Sequence, residues 1–85
     1  MKTKVLKISA SWCGPCSQMD NQLFVMQHKL ENVEIIHVDT DVSPELAKQY
    51  NIRSIPTLIK LDELGNEVAR STGSLSSEKL LEFLL

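Results

Sequence analysis

Two kinds of apolar spacing alternate along the chain. Lys4–Ser9 gathers Val5, Leu6 and Ile8 into a short run that predicts a first strand. From about Cys13 to Lys29 the period changes. Cys16, Met19, Leu23, Met26 and Leu30 recur at spacings of three and four, the stripe of a helix facing a core. Val33–Val38 is apolar and bounded by Asn32 and Asp39, as expected of a buried parallel strand. Ser43 followed by Pro44 predicts a helix start, an N-cap hydroxyl and then a proline at the first helical position; that helix ends near Tyr50-Asn51. Pro56 has no N–H to give a sheet, so it opens the next strand, Thr57–Leu61. Asp62-Glu63-Leu64-Gly65-Asn66 is a hairpin turn, and Glu67–Ser71 returns antiparallel. Ser76 caps a last helix, with Leu75 and Leu80 placed for a hydrophobic staple and Leu80, Leu81 and Leu84 facing inward. The order β-α-β-α-β-β-α predicts an α/β fold, a four-stranded mixed sheet flanked by three helices.

Composition narrows the function classes. The 85 residues make a single domain over positions 1–85, without repeats or linkers, and 42% hydrophobic content suits a compact core. A net charge of −2 offers no footprint for nucleic acid or for an anionic membrane surface. No apolar run approaches the ~18 residues needed to span a bilayer. Met1-Lys2-Thr3-Lys4 is a basic start, but the apolar stretch behind it is interrupted by Lys7 and too short for a signal peptide. The expectation is a soluble cytoplasmic monomer, where a cysteine pair is catalytic or metal-binding rather than structural.

Both cysteines of the chain lie in Trp12-Cys13-Gly14-Pro15-Cys16. Thiols three positions apart can close a disulfide within one helical turn. The Gly14-Pro15 pair forms the bend, which places Cys13 at a helix N-terminus. There the unpaired N–H groups and the helix dipole favour a thiolate, the form that attacks disulfides. Cys13 is therefore the expected nucleophile, and Cys16, one turn further in, the shielded resolving thiol. A zinc site is the competing reading. It wants a second ligand pair, and the chain offers only His28 and His37, on different predicted elements. No metal is expected.

The pentapeptide resembles the active site of the thioredoxin family. Ser54-Ile55-Pro56-Thr57 resembles the family's cis-proline loop, and Gly73 the glycine before its last helix, so the resemblance runs from about Lys4 to Leu84. It implies a minimal thioredoxin fold and a dithiol–disulfide oxidoreductase that reduces protein disulfides. No bound cofactor is implied beyond the redox-active Cys13–Cys16 disulfide. The implied electron donor is a flavin-dependent thioredoxin reductase or glutathione. Trp12 would cover the disulfide. Trp12, Ile55, Pro56, Thr57 and Gly73 would contact substrate, Ile55 through its backbone in a strand-like pairing. Gly14 and Pro15 shape the bend, and Lys7 lies beneath the site. Two other readings stay open. One is a glutaredoxin-like, glutathione-linked reductase, favoured by the short length. The other is a non-catalytic thioredoxin-fold binding module.

The chain also departs from the family pattern. The common buried Asp six positions before the first cysteine is Lys7 here, the Lys on the neighbouring strand is His37, and a proline inside the first helix is Asn21. The Lys7 ammonium can favour thiolates and make the couple more oxidising, or act as a base if desolvated. A fully buried unpaired ammonium is costly, so the expectation is a lysine that snorkels its charge to the surface. Asp39 and Asp41 are expected to serve the loop before the Ser43 helix.

Overall fold

In a computed structural model, which describes residues 2–85, the chain forms four strands and three helices. Met1 of the basic start lies outside the described residues. The strands are β1 (Thr3–Ser9), β2 (Val33–Asp39), β3 (Thr57–Leu61) and β4 (Glu67–Thr72). The helices are α1 (Gly14–Val25), α2 (Pro44–Gln49) and α3 (Ser77–Leu84). The sheet order is β2-β1-β3-β4, with β1 parallel to β2 and antiparallel to β3, and β3 antiparallel to β4. The expected α/β architecture is the one observed.

Alternation along β1 divides the core. Val5 faces α1 and α3, packing among Met19, Leu23, Met26, Leu30, Val33, Leu58, Leu80 and Leu84. Leu6 and Ile8 face the other way, joining Val38 and Ile59 under Leu46, Tyr50 and Ile52 of the α2 segment. Lys7 shares the Val5 face by the two-residue period of a strand, so a lysine stands where a core aliphatic is expected.

Ends and edges differ from the expected ones for local reasons. The first helix stops at Val25, and Gln27–Lys29 continue as a tighter 3-10 turn, in which the N–H of Lys29 donates to the Met26 carbonyl at 2.8 Å. Met26 and Leu30 still reach the core through that turn. β2 is an edge strand with one neighbour, so Ile35 and Ile36 are only half covered, unlike the expected buried strand. Ser43 is the N-cap of α2, but its hydroxyl makes no capping hydrogen bond. Asp39 orders this loop instead, with Oδ1 accepting from the N–H of Asp41 (2.8 Å) and of Val42 (3.3 Å). Asn51 follows α2 at φ 53°, a left-handed position. Arg70 on β4 clamps the end of α2, donating to the Tyr50 carbonyl (2.8 Å) while its guanidinium forks onto Glu67. Ser76 caps α3 as expected, its Oγ accepting from the N–H of Lys79 at 3.2 Å. Gln22 of α1 reaches across to this cap, donating to the Leu75 carbonyl at 2.9 Å and to Ser77 Oγ at 3.1 Å.

Candidate active site

The C-terminal end of β1 delivers the chain to the cysteine pair. Cys13 is the N-cap of α1 in extended conformation, Gly14 begins the helix, and Pro15 occupies its first turn, where a missing N–H costs no hydrogen bond. Cys13 and Cys16 form a disulfide with Cα atoms 5.2 Å apart. Cys13 Sγ also accepts from the N–H of Cys16 at 3.2 Å, so the sulfur itself does the work of a capping oxygen. The first turn of α1 carries no acidic residue, which leaves the positive end of the helix dipole to act on that sulfur. Reduced, Cys13 holds the position in which a thiolate is stabilised.

Cys13 and Cys16 are both buried, 5% and 2% exposed, with Ala10 beside them and Ile55 packed on top. Cys13 is thus the more exposed of the two by a small margin. Gly14 and Pro15 are exposed at the tip of the bend. Trp12 does not enter the core. It is 70% exposed, and its indole Nε1 donates to Asp41 Oδ2 at 3.0 Å. Asp41 therefore orients the tryptophan at the rim, a role that sequence reasoning did not assign to it.

The second wall of the site is the loop before β3. The Ile55–Pro56 peptide is cis, as the family resemblance implies. Pro56 is buried and Thr57 is 2% exposed, with its hydroxyl donating to the Ser54 carbonyl at 2.7 Å. That bond closes the loop on itself. Gly73 is tied to this loop: its N–H donates to the Pro56 carbonyl at 2.8 Å, and its φ of 90° is one that side-chain-bearing residues rarely adopt. Trp12, Cys13, Gly14, Pro15 and Cys16 thus lie together at the start of α1, Ile55 packs on the two cysteines, and Pro56, Thr57 and Gly73 belong to the hydrogen-bonded loop that carries Ile55.

Lys7 differs from the expectation. It does not snorkel: the residue is 0% exposed. Its Nζ lies 2.6 Å from Asp20 Oδ1, the distance of an ion pair without the angles of a hydrogen bond, and it meets no hydrogen-bond partner among the described residues. The ammonium is tolerated inside because Asp20, on α1 and half exposed, brings a carboxylate to it. His37, the register partner of Lys7 on β2, approaches the same Asp20 oxygen at 3.9 Å with its side chain 60% exposed. Asp20 was not marked by any sequence motif. Its one signal is a place four residues after Cys16 on the same helix.

A hollow of about 570 Å³ lies at the far end of the sheet, between Lys2–Lys4, Glu34 and Leu61–Glu63, and no residue of the disulfide site lines it. Among the described residues no three His, Cys, Asp or Glu side chains gather as metal ligands, and no helix is long and apolar enough to cross a membrane.

Known proteins with the same arrangement are numerous. The family model described as Thioredoxin matches residues 1–85. A thioredoxin of Chlamydia trachomatis is 41% identical over 75 residues, covering 88% of this chain and 72% of that protein. Thioredoxin H2 of Arabidopsis thaliana is 35% identical over 77 residues, covering 91% of this chain but 57% of its own length. Among solved structures, thioredoxin of Fasciola hepatica superposes with a TM-score of 0.86 at 30% identity, covering 98% of this chain and 78% of that one.

Proposed function

This chain belongs to the thioredoxin family and is a dithiol–disulfide oxidoreductase, and on that premise we propose how its residues divide the work. Cys13, as thiolate, attacks one sulfur of a protein disulfide. The partner's other sulfur leaves with the electron pair, and a Cys13–partner mixed disulfide remains. Cys16 then loses its proton and attacks Cys13 Sγ. The partner's second sulfur leaves as a thiolate, and the Cys13–Cys16 disulfide seen here is the product. Two electrons have moved from the dithiol to the substrate, and no bound cofactor takes part.

The observation that carries this division is the capping geometry. Cys13 Sγ sits at the open end of α1 with a backbone N–H already directed at it, whereas Cys16 lies one turn inside the helix. In our reading, substrate enters along the rim formed by Trp12, Ile55, Pro56, Thr57 and Gly73. An extended segment beside the disulfide pairs with the backbone at Ile55, so many sequences are accepted. Gly14 and Pro15 keep the bend small, and Gly73 leaves the rim flat.

Family members in general act on disulfides and take electrons from reductases. For this chain we assign a flavin-dependent thioredoxin reductase as donor rather than glutathione, since the pentapeptide and the relatives are of the thioredoxin type. We further assign it to the cytoplasm, as a monomer of one domain. The test supplies the oxidised protein with NADPH and a thioredoxin reductase, or with reduced glutathione, and follows Trp12 fluorescence. Fast reduction through the flavoenzyme is expected. Reduction by glutathione alone would move the donor assignment to the glutaredoxin-like reading.

A further inference from the structure

We propose that Asp20 and Lys7 act as an opposed pair of charges that sets how oxidising the Cys13–Cys16 couple is, with Asp20 the positioning residue that holds the Lys7 ammonium beneath Cys16. Lys7 is the one charged residue of the buried core, with both the residue and its Nζ withdrawn from water. It lies two positions after Val5 on the face of β1 that packs against Met19 and Leu23 of α1. Just past β1, Ala10 shares one buried cluster with Cys13 and Cys16, so the strand ends against the first turn of α1, and Asp20 lies one turn further along that helix. Cys16 and Asp20 are four apart on α1, so their Cβ atoms are about 5–6 Å from one another.

The charged groups around Lys7 come from two packed elements. Asp20 of α1 touches it at 2.6 Å, and His37 of β2 stands beside it in register and 3.9 Å from the same carboxylate oxygen. The buried sulfurs of the couple add no charge while oxidised. On reduction the couple's negative charge develops on its sulfurs, one of which, Cys16, lies a single helical turn from Asp20, the residue that meets the Lys7 ammonium. The ammonium stabilises that charge and the carboxylate opposes it. Because the cation is fully buried and the anion half solvated, water screens Asp20 more than Lys7, and the net influence is that of the cation. The dithiol form is thereby stabilised, and the couple is more oxidising than it is without Lys7. An anion supplied from the helix keeps this effect moderate, because it neutralises part of the lysine's field.

The proposal rests on Cys13–Cys16 as the redox couple. The test equilibrates wild type, Lys7→Met, Asp20→Asn and the double variant with graded glutathione buffers at pH 7 and reads the dithiol fraction by alkylation and mass. Lys7→Met is expected to make the couple at least tenfold more reducing. Asp20→Asn is expected to make it several-fold more oxidising, because the asparagine oxygen still meets the ammonium but no longer offsets its charge. The double variant should fall between the two; a tenfold step corresponds to about 30 mV for this two-electron couple. Single variants that shift in the same direction, or that leave the equilibrium unmoved while both fold, overturn the proposal. If Lys7→Met does not fold, Asp20→Asn alone decides, since only a shift toward the oxidising side agrees. A wild-type protein that never cycles would instead remove the redox assignment itself, which separates the two failures.

Discussion

Replacing Gly73 with alanine separates backbone conformation from surface contact at the rim of the site. Gly73 has φ 90°, and a Cβ built on it meets nothing within 4 Å. The substitution therefore introduces no clash, and its cost is conformational. Holding an L-residue in the left-handed region costs about 1–2 kcal/mol. For a chain of 85 residues, each kcal/mol moves Tm by roughly 4–8 °C, so a fall of about 4–16 °C is expected. Gly65 supplies the control. It has φ 84° in the hairpin turn, far from the cysteines, and is equally open around its Cβ. Gly65→Ala should lower Tm by a similar amount and leave the rate of protein-disulfide reduction unchanged below the melting range. Gly73→Ala should lower both. Its N–H donates to the Pro56 carbonyl, so a shift there displaces the loop that faces the cysteines. Thermal melts by circular dichroism and initial reduction rates at 25 °C make the comparison. An unchanged Tm for both variants would refute the conformational argument, and equal rates for both would remove Gly73 from the substrate rim.

Three further outcomes follow from particular contacts. Asn51→Gly relieves the left-handed φ of 53° after α2 and should raise Tm, by up to about 1 kcal/mol of stability; a lowered Tm would mean that the asparagine side chain matters more than its backbone. Leu80→Ala removes a fully buried side chain where α3 meets Val5, Leu58 and α1, and should cost about 2–5 kcal/mol in denaturant titration, with a cost under 1 kcal/mol contradicting the packing. Asp62 is held below the usual carboxylate range, chiefly because the Asn66 N–H bonds to its carboxylate, with lesser help from Leu64 and Gly65. A depressed folded-state value means that its contribution is present above the ordinary carboxylate pKa and is lost as pH falls through the folded value. The Tm difference between wild type and Asp62→Ala should therefore be full at pH 7 and shrink below about pH 4; a difference independent of pH would show that the carboxylate charge plays no part.

Much of this protein is legible in its sequence because its signals are local. Cys13 and Cys16 lie within one turn, so the strand before them and the helix stripe after them are enough to place the thiols. Pro56 and the Asp62–Asn66 turn punctuate the chain in ways that their chemistry dictates. Contacts between elements left fainter traces. Lys7 looks like a snorkelling surface lysine until α1 is laid across β1 and Asp20 arrives at its Nζ. The half-covered state of Ile35 and Ile36 depends on β2 being at the edge, which strand order decides and periodicity does not. Asp41 reads as a loop acid, and only the fold brings it under the Trp12 indole. Ser43 has the residue type of a cap, yet Asp39 holds the loop in its place.

The central claim is the order of attack, Cys13 first and Cys16 second. The most direct test incubates the reduced Cys16→Ser and Cys13→Ser variants with a disulfide-bonded protein and maps any mixed disulfide by peptide mass. Cys16→Ser is expected to accumulate a covalent adduct at Cys13, and Cys13→Ser to form none at a comparable rate, because its remaining thiol lies inside the first turn of α1 and not at the helix N-terminus that favours a thiolate. Equal or faster trapping at Cys16 would contradict it.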